Sequence, residues 1–171
     1  MKEQFGIFIP RKKISHIVEI GGGYGNFCRL VKNFGYKGKY IIADLPSMLE
    51  IQKHYLSHAL QNVDYFNNIN FGQLDIKKLL PSKKSDVSIL IGTFSISEMP
   101  LETRQVLESQ YDAFDYLFFA YNSAFDGVNN LEYFKKLTAT FNKKFNIYHV
   151  KDKHRSVWFL LCHRKNQGSQ L

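Results

Sequence analysis

Apolar positions along this chain switch repeatedly between a strand-like and a helix-like spacing. Residues 14–20 form a short apolar run ending in glycines, the pattern of a buried strand. Over residues 24–34, Phe27, Leu30, Val31 and Phe34 recur at helical spacing, and Gly35 supplies a stop. Residues 39–43 read as a second strand, with Tyr40, Ile41 and Ile42 in succession. Pro46 then opens a helix at a first-turn position, with Met48, Leu49, Leu56 and Leu60 as its expected inner face. A third strand falls at 63–66 or at 69–74, and the pattern supports either. A fourth strand is expected at 87–91, a helix from Pro100 to Tyr111, and a fifth strand at 116–121. Asn130 is placed to cap a helix whose face is Leu131, Phe134, Leu137 and Phe141.

The rhythm changes near the end. Residues 145–150 and 156–162 are both strand-like, and the short run from Lys151 to Arg155 cannot hold a crossover helix. These two strands are therefore expected to pair antiparallel as a hairpin. The fold class that follows is α/β: an open, Rossmann-like, doubly wound sheet, mostly parallel, with a C-terminal antiparallel hairpin. Residues 14–164 make one domain, preceded by a short extension (1–13) and followed by a polar tail (165–171).

Composition narrows the picture. With 171 residues, 44% hydrophobic and 15% aromatic, the chain can build a substantial single core. Lys and Arg number 23 against 15 for Asp and Glu, a net charge of +8. That balance suits partners bearing phosphate or carboxylate, as well as a merely solvated surface. Cys28 and Cys162 lie on apolar segments without metal-type spacing, so buried free thiols in a reducing cytosol are expected. No apolar run approaches the roughly 20 residues of a membrane span, and residues 1–6 lack the apolar core of a signal peptide. The expected location is cytoplasmic.

The chemistry concentrates at Glu19-Ile20-Gly21-Gly22-Gly23-Tyr24-Gly25, between the first strand and the first helix. Glycines there allow a tight turn and close approach of a ligand, backed by free N–H groups at a helix start. Asp44, at the end of the second strand, is placed to accept ribose hydroxyls. Both features suit any adenosine-bearing cofactor. A dinucleotide fingerprint needs a third small residue, but the two possible frames put Asn26 or Cys28 there. No Gly-Lys-Ser/Thr follows the loop, so the Walker pattern fails too. Glu19 instead suggests a carboxylate that steadies the loop and meets a cationic amino group.

Glu19-x-Gly21-x-Gly23-x-Gly25 resembles motif I of class I S-adenosylmethionine-dependent methyltransferases. Asp44-Leu45-Pro46 is similar to the segment following the second strand in many O-methyltransferases. The run from Val18 to Pro46, with "LIGTFSISEMP" and "FFAYNSAFDGVNNLEYF" further on, resembles a bacterial family of sugar O-methyltransferases. The resemblance covers residues 14–164. It implies S-adenosyl-L-methionine as cofactor, held by Glu19, Gly21, Gly23, Gly25, Asp44 and Leu45, with Asp75 and Thr93 as further candidates. Asp75 is placed either to accept from the adenine amine or to cap a short helix at 76–80. The implied acceptor is a sugar hydroxyl on a nucleotide sugar or surface polysaccharide precursor. Such a hydroxyl is a poor nucleophile and profits from a general base, for which Glu98 and His154 are the candidates. Lys151, Lys153 and Arg155 could meet an acceptor phosphate.

Two other readings stand beside this one. The net charge also suits a nucleic-acid acceptor; Gly92-Thr93-Phe94-Ser95 does not match the run of base-amino methylases but leaves ribose methylation open. A non-catalytic cofactor-binding module is the third. The resemblance also implies helices ahead of the first strand, so a partner chain could supply such elements. His54 and His58 share helical spacing but lack a third ligand, and no metal is expected.

Overall fold

A computed structural model describes residues 14–60, 66–70, 75, 78, 80 and 86–165. Its elements are β1 (Ile14–Ile20), α1 (Asn26–Asn33), β2 (Lys39–Asp44), α2 (Pro46–Ala59), β3 (Phe66–Asn70), β4 (Val87–Thr93), α3 (Ser95–Glu98), α4 (Leu101–Tyr111), β5 (Tyr116–Asn122), β6 (Ala124–Phe125), β7 (Val128–Asn129), α5 (Asn130–Phe141), β8 (Phe145–Lys151) and β9 (Val157–Arg164). Seven strands form one sheet in the order β3-β2-β1-β4-β5-β9-β8. The pairs among β3, β2, β1, β4 and β5 are parallel, whereas β9 runs antiparallel to both β5 and β8. The expected class is thus observed: an α/β sheet, mostly parallel, closed by an antiparallel hairpin. β6 and β7 form a separate two-stranded ribbon just ahead of α5.

Strand alternation distributes the core between the two faces of the sheet. Val18, Ile20, Ile41, Ala43, Leu90, Leu117 and Phe119 point to one side, packing with Leu107 and Tyr111 of α4 and Phe134, Leu137 and Phe141 of α5. Ile17, Tyr40, Ile42 and Ile91 point to the other, packing with Cys28 of α1 and Leu56 of α2. Both cysteines are buried free thiols, and burial pushes each up to about 12, so neither is a reactive thiolate. No described helix is long and apolar enough to cross a membrane.

Several elements depart from the sequence pattern. β3 spans Phe66–Asn70, between the two alternatives, set by parallel pairing of Phe66 with Tyr40 through to Asn70 with Asp44. Residues 63–65 and 71–74 of those alternatives lie outside the described residues. α1 is rotated from its expected face: Cys28 is buried and Phe27 and Val31 pack beneath it, while Leu30 is 36% and Phe34 89% exposed. α5 is capped by Asn129, whose side chain accepts the Glu132 N–H at 3.1 Å, rather than by Asn130. Asn130 is instead fully buried, and Leu131 faces outward.

Candidate functional site

The carboxyl ends of β1 and β2 carry the glycine loop and Asp44, joined by a network of short hydrogen bonds. The Gly21 N–H donates to the Ala43 carbonyl at 2.8 Å, linking the end of β1 to the end of β2. The Gly25 N–H donates to the Gly22 carbonyl at 2.9 Å, which folds the loop back just before α1. Gly21, Gly23 and Gly25 all hold left-handed φ, which L side chains rarely adopt. Close approach fixes Gly21 independently: a Cβ there would collide with the side chain of Ser95, whose hydroxyl donates to the Ile20 carbonyl. At Gly23, by contrast, a Cβ would meet nothing within 4 Å, so the crest of the loop faces open space.

Asp44 is 8% exposed. Its Oδ1 accepts the Leu45 N–H at 2.8 Å and its Oδ2 accepts from Gln52 Nε2 at 2.7 Å. The Gln52 amide also donates to the Gly23 carbonyl at 2.7 Å, so one fully buried side chain of α2 ties the glycine loop to the acid. Gln52 is one residue that sequence reasoning missed. Its signal was a polar amide at helical spacing between Met48 and Leu56 on an otherwise apolar face. The carboxylate retains lone pairs for further donors, since each oxygen accepts two. Leu45 is 61% exposed beside it, at the turn into α2.

Glu19 lies under the loop, 1% exposed, with Oε2 accepting from the Tyr40 hydroxyl at 2.8 Å. Burial pushes its carboxyl up to about 7; the Tyr40 bond opposes this and the nearby Asp44 charge adds to it. A Cβ on Gly22 would lie 3.1 Å from that same Oε2 and 2.7 Å from Ile42 Cγ2. Thus the acid and the loop pack as one unit.

The second half of the site follows β4. Thr93 ends that strand, and Phe94 adopts φ 69°, a strained conformation for a bulky residue. Residues 95–98 form the single turn α3, ending at exposed Glu98, whose N–H donates to the Phe94 carbonyl. A second unforeseen residue holds this loop. Arg104 of α4 is fully buried, and its guanidinium donates to the Ser97 carbonyl at 2.6 Å, the Met99 carbonyl at 2.9 Å and Asn130 Oδ1 at 2.7 Å. Tyr133 covers it, 4.7 Å from ring centroid to guanidinium. A buried arginine is expensive unless its donors are met, and here two backbone carbonyls and the Asn130 amide oxygen accept from it.

The remaining candidates are more scattered. Asp75 pairs with Lys78 at 3.2 Å, and its carbonyl accepts the Lys78 N–H at 3.1 Å, a helical-turn arrangement; most of 76–80 lies outside the described residues. His154 is exposed in the β8–β9 turn, its N–H donating to Asp152 Oδ1 at 2.8 Å. Since β8 is parallel to β4 and β5, this turn lies at the same edge of the sheet as the glycine loop. At about 4.8 Å per strand, it stands roughly 10–14 Å from the end of β4. His54 and His58 lie side by side on α2, ring centroids 4.6 Å apart, and among the described residues no cluster of three metal-ligating side chains occurs.

No protein-family model matches the chain, and neither does any curated protein sequence. Solved structures do. An rRNA-methylase candidate from Clostridium thermocellum superposes with a TM-score of 0.73 at 15% identity, over 97% of this chain and 94% of that one. The fold is shared with solved methyltransferases. The methyltransferase domain of bacterial CtHen1 matches at 0.65 and 12% identity, over 88% of this chain and 91% of its own. PigF, solved with S-adenosylhomocysteine, matches at 0.64 and 13% identity; this chain spans 94% of itself but about half (53%) of PigF.

Proposed function

We propose that this protein is an S-adenosylmethionine-dependent O-methyltransferase acting on a sugar hydroxyl of a phosphate-bearing acceptor. The observation that carries the reading is the single hydrogen-bonded unit formed by the Gly21–Gly25 loop, Gln52 and Asp44, with open space above Gly23. The residues fit the cofactor. Asp44 would take the ribose hydroxyls, exposed Leu45 would offer an apolar edge to the adenine, and Glu19 would answer the amino group from beneath the loop. Gly21, Gly23 and Gly25 would bring backbone N–H groups close to the methionine part. Asp75 and Thr93 complete the proposed lining, Asp75 toward the adenine amine and Thr93 at the end of β4.

Bound S-adenosylmethionine would supply an electrophilic methyl on a sulfonium. The chain's own part is to hold the acceptor in line and to take the hydroxyl proton, and most of the gain is positioning. Glu98 is the proposed base, because Arg104 clamps the carbonyls on either side of it and fixes its loop beside the cofactor unit. His154, two to three strands away, is better suited to the far end of an acceptor, with Lys151, Lys153 and Arg155 meeting its phosphate.

A second reading is ribose methylation of RNA. It is favoured by the net charge of +8 and by the likeness to CtHen1 and to the Clostridium protein. The deciding experiment is calorimetric titration with S-adenosylhomocysteine and, separately, NAD, followed by methyl transfer from labelled cofactor to nucleotide sugars and to RNA. Binding of the homocysteine compound without NAD, lost in Asp44→Ala, is the expected result. Glu98→Gln should keep that affinity and lower turnover at least tenfold. NAD binding, or no binding by a folded chain, would overturn the reading.

A further inference from the structure

Tyr121, Trp158 and Lys151 stand in one row across three strands, since Tyr121 pairs with Trp158 and Trp158 with Lys151. Paired residues share a sheet face, so all three side chains emerge on the α5 side. His149, two residues before Lys151, emerges there too. Tyr121 is buried and stacked on Phe134 of α5 at 3.8 Å between centroids, and its hydroxyl is hydrogen-bonded to His149 Nε2. The exposed His149 ring is thereby anchored to the core. Its centroid lies 5.2 Å from that of the half-buried Trp158, and Lys151 Nζ lies 5.6 Å from the Trp158 ring. Partial burial holds the His149 pKa below the usual histidine value, which favours an uncharged aromatic ring at neutral pH. Beyond this pair, Lys153, His154 and Arg155 are exposed in the turn, while the Asp152 carboxylate is engaged by the His154 N–H.

We infer that the Trp158–His149 pair with Lys151 and the turn cations is a binding site for the nucleotide part of the acceptor, a base ring stacked on the aromatics and its phosphate held by the lysines and Arg155. The inference rests on the proposed methyltransferase reading and names the acceptor class for the same edge of the sheet. Three features lead to it. A base stacked on the open part of the half-buried Trp158 ring gains at least as much as the Lys151 ammonium over it, so a base can displace Lys151 and free it for the adjoining phosphate. Aromatic rings interleaved with cations are what a nucleotide needs, whereas a plain sugar phosphate needs only the cations. The separation also fits: roughly 10–14 Å from the end of β4 is the reach of a sugar linked through a diphosphate to a nucleoside, or of a ribose two nucleotides along a strand.

Trp158 is the sole tryptophan of the chain, so its fluorescence reports on this site alone. Uridine diphosphate and a single-stranded hexa-uridine RNA should each be titrated, with inorganic pyrophosphate as the phosphate-only control and calorimetry with S-adenosylhomocysteine on the same samples. Saturable quenching by the nucleotide, absent with pyrophosphate, is expected. Lys151→Ala should weaken it about tenfold and His149→Ala by several-fold, with unchanged circular dichroism. Tighter binding of the diphosphate identifies a nucleotide-sugar type of acceptor, and tighter binding of the RNA identifies a strand. Absence of quenching by both, or equal quenching by pyrophosphate, overturns the inference. If S-adenosylhomocysteine still binds in that case, the cofactor reading stands; if nucleotide quenches but S-adenosylhomocysteine does not bind, the platform stands and the methyltransferase reading fails.

Discussion

Glu19 is a carboxyl with almost no access to water, held by one hydroxyl and facing a second carboxylate a strand away. Its pKa of about 7 lies above the ordinary glutamate value, so the folded chain favours the neutral acid. The sign follows directly. The stability associated with this group is fully present below about pH 4.5 and is lost as pH rises through 7. Its size is about 3 kcal/mol, from the displacement between the two values. Glu19→Gln should therefore match the parent near pH 4.5 and exceed it in stability at pH 8, measured as urea midpoints at both values. A cationic amino group above the loop would reverse the preference, so cofactor affinity should climb between pH 6 and 8 in the parent and stay flat in the variant. Equal pH profiles for the two proteins would remove Glu19 from the cofactor site. The positions of Glu19, the glycines and Asp44 at the ends of β1 and β2 were legible from the sequence because they follow from order along the chain. Gln52 was not, because a hydrogen bond bridging Gly23 and Asp44 is a fact of three dimensions. A pattern of apolar spacing registers such an amide only as a gap.

Elements were legible in kind and less so in orientation. α1 and its C-cap Phe34 carry four apolar residues at helical spacing, yet Phe34 and Leu30 turn outward while Cys28, a small thiol close against the sheet, is buried. Spacing alone could not separate the two neighbouring stripes. At α5 the confusion of Asn129 with Asn130 has an energetic consequence. Asn129 caps the helix at an exposed position, and Asn129→Ala should cost about 1 kcal/mol. Asn130 accepts from buried Arg104, so Asn130→Ala leaves a guanidinium short of a partner away from water and should cost about 2–3 kcal/mol. Denaturant titration of the two single variants separates them. Comparable losses would mean that Arg104 finds another acceptor and that the clamp on the Ser97–Met99 loop is less tight than its geometry implies.

At the scale of the whole molecule, the sheet order divides the labour. β1 and β2 carry the glycine loop and Asp44, the proposed cofactor unit, while β4, β5, β9 and β8 carry the loop with Glu98 and the cationic turn. The division was visible in the sequence because strand and helix patterns alternate up to Phe141 and a gap too short for a helix forces the final hairpin. β3 was harder to place, since Phe-Asn-Asn-Ile-Asn has little strand character of its own and is positioned by pairing with β2. If the two halves act as separate sites, their free energies should add, as they do for residues more than about 10 Å apart. S-adenosylhomocysteine at a hundredfold over its Kd should stabilise the parent by about 2.7 kcal/mol. For a domain of this size that raises Tm by roughly 5–10 °C. The double variant Lys153→Ala/Arg155→Ala should show the same rise from the same starting Tm, and Asp44→Ala should show none, all by scanning calorimetry. A diminished rise in the hairpin variant would mean that the cationic turn closes over the cofactor itself. The turn would then belong to the cofactor pocket, and the acceptor would have to enter from the side of α3.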